Sequence, residues 1–211
     1  MVAVPKTAAV HRILTRYLVE VVERHELCPW ARASREHGEL AIGVLWGAPA
    51  LEAWIAEARR LLASERIRVA MIVAPELAID RAAFGALRDR VAARLPDAGV
   101  AEFHPVAPLD LGSPARLVPF LRRAPDPLLQ LVPLTVLDAA RAVPPPPVRA
   151  DQAAMLGGHA AAPRADLATR IAVANHATVA RTHAAIAAAL DAIAADRDAS
   201  YARAGITAAS R

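Results

Sequence analysis

Arg68-Val69-Ala70-Met71-Ile72-Val73-Ala74, closed by Pro75, is the segment on which the fold turns. It is a short apolar run bounded by a charge and a proline, and it reads as a buried strand. Working outward, Leu51, Trp54, Ile55, Ala58, Leu61 and Leu62 precede it at helical spacing. Before them, residues 39–46 are short and apolar between turn signals, which suits a second strand. Ile13, Leu14, Tyr17, Leu18, Val21 and Val22 form the inner stripe of a first helix over residues 7–25, with Pro29 ending it or opening a new turn. On the far side, Asp80 offers an N-cap to a helix with the stripe Phe84, Leu87, Val91 and Leu95, stopped by Pro96 and Gly99. Residues 100–103 form a third strand. Helix and strand alternate three times, and connections of this length favour parallel pairing through right-handed crossovers. The expected architecture is α/β, a small, mostly parallel sheet flanked by helices.

After His104 the pattern changes. Prolines at 105, 108, 114, 119, 125, 127 and 133 cut the chain into short pieces. Ser113 and Pro114 look like the cap and first turn of a helix over 115–121. Pro127 is expected to open a second short helix over 128–132, and Thr135 a third. Pro144-Pro145-Pro146-Pro147 is a stiff spacer and the clearest boundary in the chain. The expected division is an α/β domain over 1–143, a proline-, glycine- and alanine-rich linker over 144–164, and a helical tail over 165–211. Within the tail a C-terminal alanine-rich helix is expected over 165–196, with Val179, His183, Ile186, Leu190 and Ile193 along one seam. That seam would pack on the main domain, on a second copy in a homo-oligomer, or on another protein in a hetero-oligomer.

Composition narrows the function classes. Hydrophobic residues make up 55% of 211, so a sizeable core can be buried, but aromatics are only 4% and much of the remainder is alanine. Lys6 is the only lysine in a chain of net charge +4, which argues against lysine Schiff-base chemistry. The arginines are scattered, with no basic stripe interleaved with aromatics, so no nucleic-acid partner is expected. No long uninterrupted apolar run suggests a membrane span, and a single cysteine forms no internal disulfide. A cytoplasmic location is expected. Walker, Gly-x-Gly-x-x-Gly, Cys-x-x-Cys, His-Glu-x-x-His and Gly-x-Ser-x-Gly patterns are all absent.

Five residues carry the chemistry that is left. Cys28 lies in Leu27-Cys28-Pro29-Trp30-Ala31, where the first helix should stop. If it closes that helix, the negative dipole end raises the thiol pKa; if it caps a new turn, the positive end lowers it. A buried structural cysteine is the plain alternative. His104 follows the third strand, at the carboxyl edge where open α/β sheets place their crevices. It suits an acid, a base or a metal ligand, or a histidine hydrogen-bonded to its loop. Glu102, two residues back on the same face, is a candidate to orient it or share a metal. Arg122 and Arg123 stand on the proline-rich return, where rigid backbone would hold a guanidinium against a small anionic ligand. His25, three residues before Cys28, and His176 and His183, seven apart on the tail helix, are weaker positions, the last two suited to packing.

Three short motifs occur in order: Leu27-Cys28-Pro29-Trp30-Ala31, Phe103-His104-Pro105 and Arg123-Ala124-Pro125-Asp126-Pro127. With the strand and helix order between them, they resemble a bacterial family known as domain of unknown function 1415, over about residues 8–142. The resemblance implies an α/β domain and brings Cys28, His104 and Arg123 together as one constellation. It implies no reaction. Val106, Ala107 and Pro108 stand where that family usually has an acidic residue and aromatics. Gln130-Leu131-Val132-Pro133-Leu134 stands in place of a His-Leu-Leu-Arg-Glu-like segment.

The leading expectation is a small-molecule enzyme with Cys28 as nucleophile or soft ligand, His104 as acid, base or ligand, and Arg123 as anion clamp. A second is an accessory protein with a degenerate site, docking a partner through its tail helix. A third is haem or metal binding through Cys28, with His104 and Glu102 as further candidate ligands. Cofactors are left open.

Overall fold

In the computed structural model, which describes residues 5–142 and 166–209, a four-stranded sheet separates two helical layers. The first helix, α1 (Lys6–Tyr17), continues without a break into a π-helical stretch, Leu18–Glu23. There follow α2 (Ala31–Glu36), β1 (Leu40–Val44), α3 (Leu51–Leu62), β2 (Val69–Val73), α4 (Arg81–Ala92) and β3 (Ala98–Phe103). The chain then forms α5 (Pro114–Leu121), β4 (Leu128–Pro133), α6 (Leu134–Ala142) and the long α7 (Leu167–Ala204).

The α/β architecture matches expectation, but the sheet is mixed rather than mostly parallel. Its order is β1-β2-β4-β3. β1 and β2 are parallel, Ile42 opposite Met71, while β4 runs antiparallel to both β2 and β3. The correction comes from residues 128–132, which form a strand and not a short helix. Leu128, Leu129 and Leu131 are each almost wholly buried because β4 lies inside the sheet with helices on both sides. A short apolar run has no period that separates a buried strand from a helical turn. Pro127 was equally ambiguous, since its fixed φ suits a strand entry as well as a first helical turn.

Side-chain alternation builds two cores. Ala70 and Ile72 of β2 and Leu129 and Leu131 of β4 face α3 and α4, meeting Trp54, Ile55, Phe84 and Val91. Met71, Val73 and Leu128 face the other way, onto Ile13, Leu14 and Tyr17 of α1, Leu117 and Phe120 of α5, and Val179, Ile186 and Ile193 of α7. The tail helix is therefore part of the main core and not an appendage. Its expected seam is spent inside the molecule, which leaves no apolar stripe of those residues for a second copy. The expected linker, 144–164, lies outside the described residues.

Polar contacts fix α7 in place. Asp196 accepts from Arg12 at 2.8 Å and from Arg16 at 2.6 Å, tying α7 to α1. At the other end Asn175 donates to the Leu27 carbonyl at 3.0 Å. Asp126, from the proline-rich segment, accepts from Arg197 and from the Tyr201 hydroxyl, both at 2.7 Å. Among the described residues no helix is long and apolar enough to cross a membrane.

Candidate functional site

The corner around Cys28 is shaped by how the first helix stops. The π-helical stretch keeps the Arg24 N–H on the Val19 carbonyl at 3.2 Å, a wider ring than an α-helix uses, and such stretches often accompany functional sites. Glu26 then adopts φ 53°, in the left-handed region. Its N–H bonds the Glu23 carbonyl at 3.2 Å, and the Leu27 N–H reaches the Val22 carbonyl at 2.9 Å. This pair of bonds is a Schellman termination with Leu27 as its apolar residue beyond the cap. Cys28 therefore lies past the helix end. Glu23, buried and held by Arg35 at 2.6 and 2.9 Å, locks α2 against that end.

Cys28 thus approaches the second of its two electrostatic settings. The N–H groups of Trp30 and Ala31 favour its thiolate, but burial is the larger effect and pushes the thiol pKa up. The net effect favours the thiol over the thiolate.

It lines a cavity of about 400 Å³ between the sheet and the π-helical stretch, α2, α5 and α6. The floor is Leu40, Val69, Met71, Ala101, Phe103, Gln130 and Val132; the walls include Tyr17, Leu18, Val22, Cys28, Ser34, Leu121, Val136 and Leu137. The floor residues of β1 and β2 lie toward the amino ends of those strands, whereas Ala101 and Phe103 lie in the carboxyl half of β3. On this face Val73, at the carboxyl end of β2, packs with Leu128, Leu117 and Phe120. The cavity thus crosses the sheet from the amino half of β1 and β2 to the carboxyl half of β3.

His104 lies elsewhere. Its ring packs against Phe84, 6.2 Å between centroids, on the α3/α4 side of the sheet. Nε2 donates to the Ile79 carbonyl at 2.9 Å, and Nδ1 accepts from the Val106 N–H at 3.1 Å. Both nitrogens are engaged by backbone, so the ring pins the 79 and 106 loops together. Glu102 does share its small cavity of about 60 Å³, as the two-residue spacing predicted. Its carboxylate, however, faces Arg88 at 3.1 Å and Arg122 at 3.3 Å.

Arg123 lines neither of these cavities. Its Nε donates to the Pro105 carbonyl at 3.2 Å and its Nη2 lies 3.7 Å from Asp191. Cys28 therefore does not meet His104, whose ring lies on the other side of the sheet, while Arg123 stands beside the His104 loop through its bond to the Pro105 carbonyl. Nor do Cys28, His104 and Glu102 form one ligand set; among the described residues no three His, Cys, Asp or Glu side chains meet in a way that would hold a metal. His176 bonds the Leu111 carbonyl at 2.9 Å, in keeping with packing. His25 lies at the end of the first helix, its pKa lowered by burial.

Three side chains of the large cavity escaped the sequence reading: Tyr17, Ser34 and Gln130. Tyr17 was legible only as part of a core stripe. Gln130 carried a signal, a single amide in the apolar run Leu128-Leu129-Gln130-Leu131-Val132, visible only once that run is known to be a strand. Arg122 and Val118 border both cavities at the β3 edge.

No family model, curated protein or solved structure matches this chain.

Proposed function

We propose that this protein binds a small, largely apolar molecule in the cavity between the sheet and the first helix. One observation carries the proposal: a cavity of about 400 Å³ whose lining is predominantly apolar, with a few polar side chains set into it. Small-molecule sites have this size and makeup, whereas well-packed interiors leave few voids larger than a water. Cys28 takes part as a neutral wall residue, and its raised thiol pKa argues against a resting thiolate nucleophile. The three motifs are our ground for placing the chain near the domain of unknown function 1415 family, a placement that brings no reaction with it.

The test is titration with N-phenyl-1-naphthylamine, a neutral fluorophore that brightens in apolar surroundings. Wild-type protein is expected to give a saturable rise. Ala101→Phe, which places a ring in the cavity from the β3 floor, is expected to abolish it while keeping the circular dichroism spectrum. Equal titrations for the two proteins, or none for wild type, would refute the cavity as a binding site.

A further inference from the structure

We propose that the molecule taken by this cavity carries a neutral carbonyl oxygen, a ketone, aldehyde, ester or amide, held against the wall that Tyr17 and Ser34 form, with Gln130 facing it from the sheet. This rests on the small-molecule reading above and names its chemical class.

The cavity is not uniformly apolar, and its polar groups are the ones that lack protein partners. Tyr17 is 2% exposed and Ser34 is 5% exposed, yet neither hydroxyl has a hydrogen-bond partner among the described residues. Both side chains line the cavity and neither oxygen is sealed from it, so a bound molecule can take a hydrogen bond from each. Gln130 repeats the pattern on the floor. It stands mid-strand in β4 between Met71 of β2 and Ala101 of β3, with an amide that bonds no described residue. Beside Tyr17 lies the Cys28 thiol, close enough that its charge, if formed, would raise the phenol pKa further.

The kinds of group present select the kind of ligand. Tyrosine and serine hydroxyls and a neutral thiol are donors, and glutamine adds an N–H₂, so the site is rich in donors for an oxygen acceptor. A carboxylate would need a cation. The arginines that line the cavity are Arg68 and Arg122, whose side chains are 46% and 37% exposed and lie against Glu39 and Glu102. They sit at the rim, leaving the interior wall neutral. A charged group buried there would lose hydration without gaining a counter-charge.

Three ten-carbon phenyl compounds separate the possibilities by displacement of the naphthylamine probe: butylbenzene, 1-phenylbutan-1-one and 4-phenylbutanoate. Wild-type protein is expected to bind the ketone more tightly than the carboxylate. Tyr17→Phe is expected to weaken the ketone about fivefold, the value of one net hydrogen bond, while leaving butylbenzene unchanged or tighter. Ser34→Ala is expected to act in the same direction. Neither variant removes a hydrogen bond within the protein, so both are expected to fold. A carboxylate bound as tightly as the ketone, or a Tyr17→Phe effect equal on ketone and hydrocarbon, would overturn the carbonyl assignment and leave the cavity reading standing. No displacement by any compound, together with no probe binding, would sink both.

Discussion

Arg197 holds Asp126 across 71 residues of sequence through a 2.7 Å Nε–Oδ1 bond between two side chains that are each buried. The second oxygen of Asp126 takes the Tyr201 hydroxyl, and the arginine also reaches the Pro75 carbonyl. The aspartate inside Arg123-Ala124-Pro125-Asp126-Pro127 thus anchors the last helix, while the arginine that opens that motif contacts the Pro105 carbonyl. Asp126→Ala leaves the buried guanidinium with the more exposed Asp198, at 2.9 Å, as its counter-charge, and should cost about 3 kcal/mol. Urea denaturation of the full chain measures it; a loss below about 1 kcal/mol would show that the anchor is unimportant.

Asp196 gives the fold an acid-sensitive contact. Its hydrogen bond with Arg12, followed by those with Arg16 and Ser200, holds its pKa well below the usual carboxylate range. A carboxylate with a depressed folded pKa stabilises above its ordinary value, near 3.9, and loses that contribution as pH falls toward the folded pKa. Asp196→Asn should therefore be less stable than wild type at pH 7. The two urea midpoints should converge as pH drops below about 4. A gap that stays constant down to acid would contradict the assignment.

His104 should behave as a structural residue. Removing its ring in His104→Ala takes the partner from the half-buried Ile79 carbonyl and from the Val106 N–H, for a loss of about 1–2 kcal/mol. Binding of the naphthylamine probe, measured on the folded fraction, should be unaffected because the ring lies on the other side of the sheet. A selective loss of binding with stability intact would return His104 to the functional site.

The thiol of Cys28 should alkylate slowly. Burial raises its pKa, so the thiolate fraction at pH 7.5 is smaller than for an ordinary cysteine. Iodoacetamide should react more slowly with the native protein than with the same chain in urea, with a rate that still climbs beyond pH 9. Bound 1-phenylbutan-1-one should slow it further. Rapid, pH-independent labelling near neutrality would mean that the helix-end N–H groups outweigh burial after all.

Local pattern was a good guide wherever it repeated. The stripes of α1, α3 and α4, the cap at Asp80, whose side chain accepts from the Ala83 N–H at 2.8 Å, and the cap at Ser113 were all legible, because each is set by residues within one or two helical turns. Cys28 was legible as a helix-end residue for the same reason. Its companions were not. Tyr17 lies on the preceding helix and looks like any other core position, and Gln130 arrives from a segment whose strand character has no local signature. His104 and Glu102 were correctly placed on one face, but hydrogen bonding to distant backbone and ion pairing with Arg88 and Arg122 decided what they do.

Read along the chain alone, the residues marked α1, α3, α4, α5 and the last helix, the positions of β1, β2 and β3, and an α/β layer, while α2 and the strand at 128–133 were not legible. The legible elements follow from periodicity, caps and prolines, which act over a few residues. Only the tertiary structure decided that residues 128–133 enter the sheet between β2 and β3, that α7 covers its face, and that Cys28 and His104 stand on opposite sides. Those outcomes depend on strand register and on burial against elements far away in sequence. A one-residue shift in register reverses the face of every side chain, so no count along the chain could have settled which residues share the cavity.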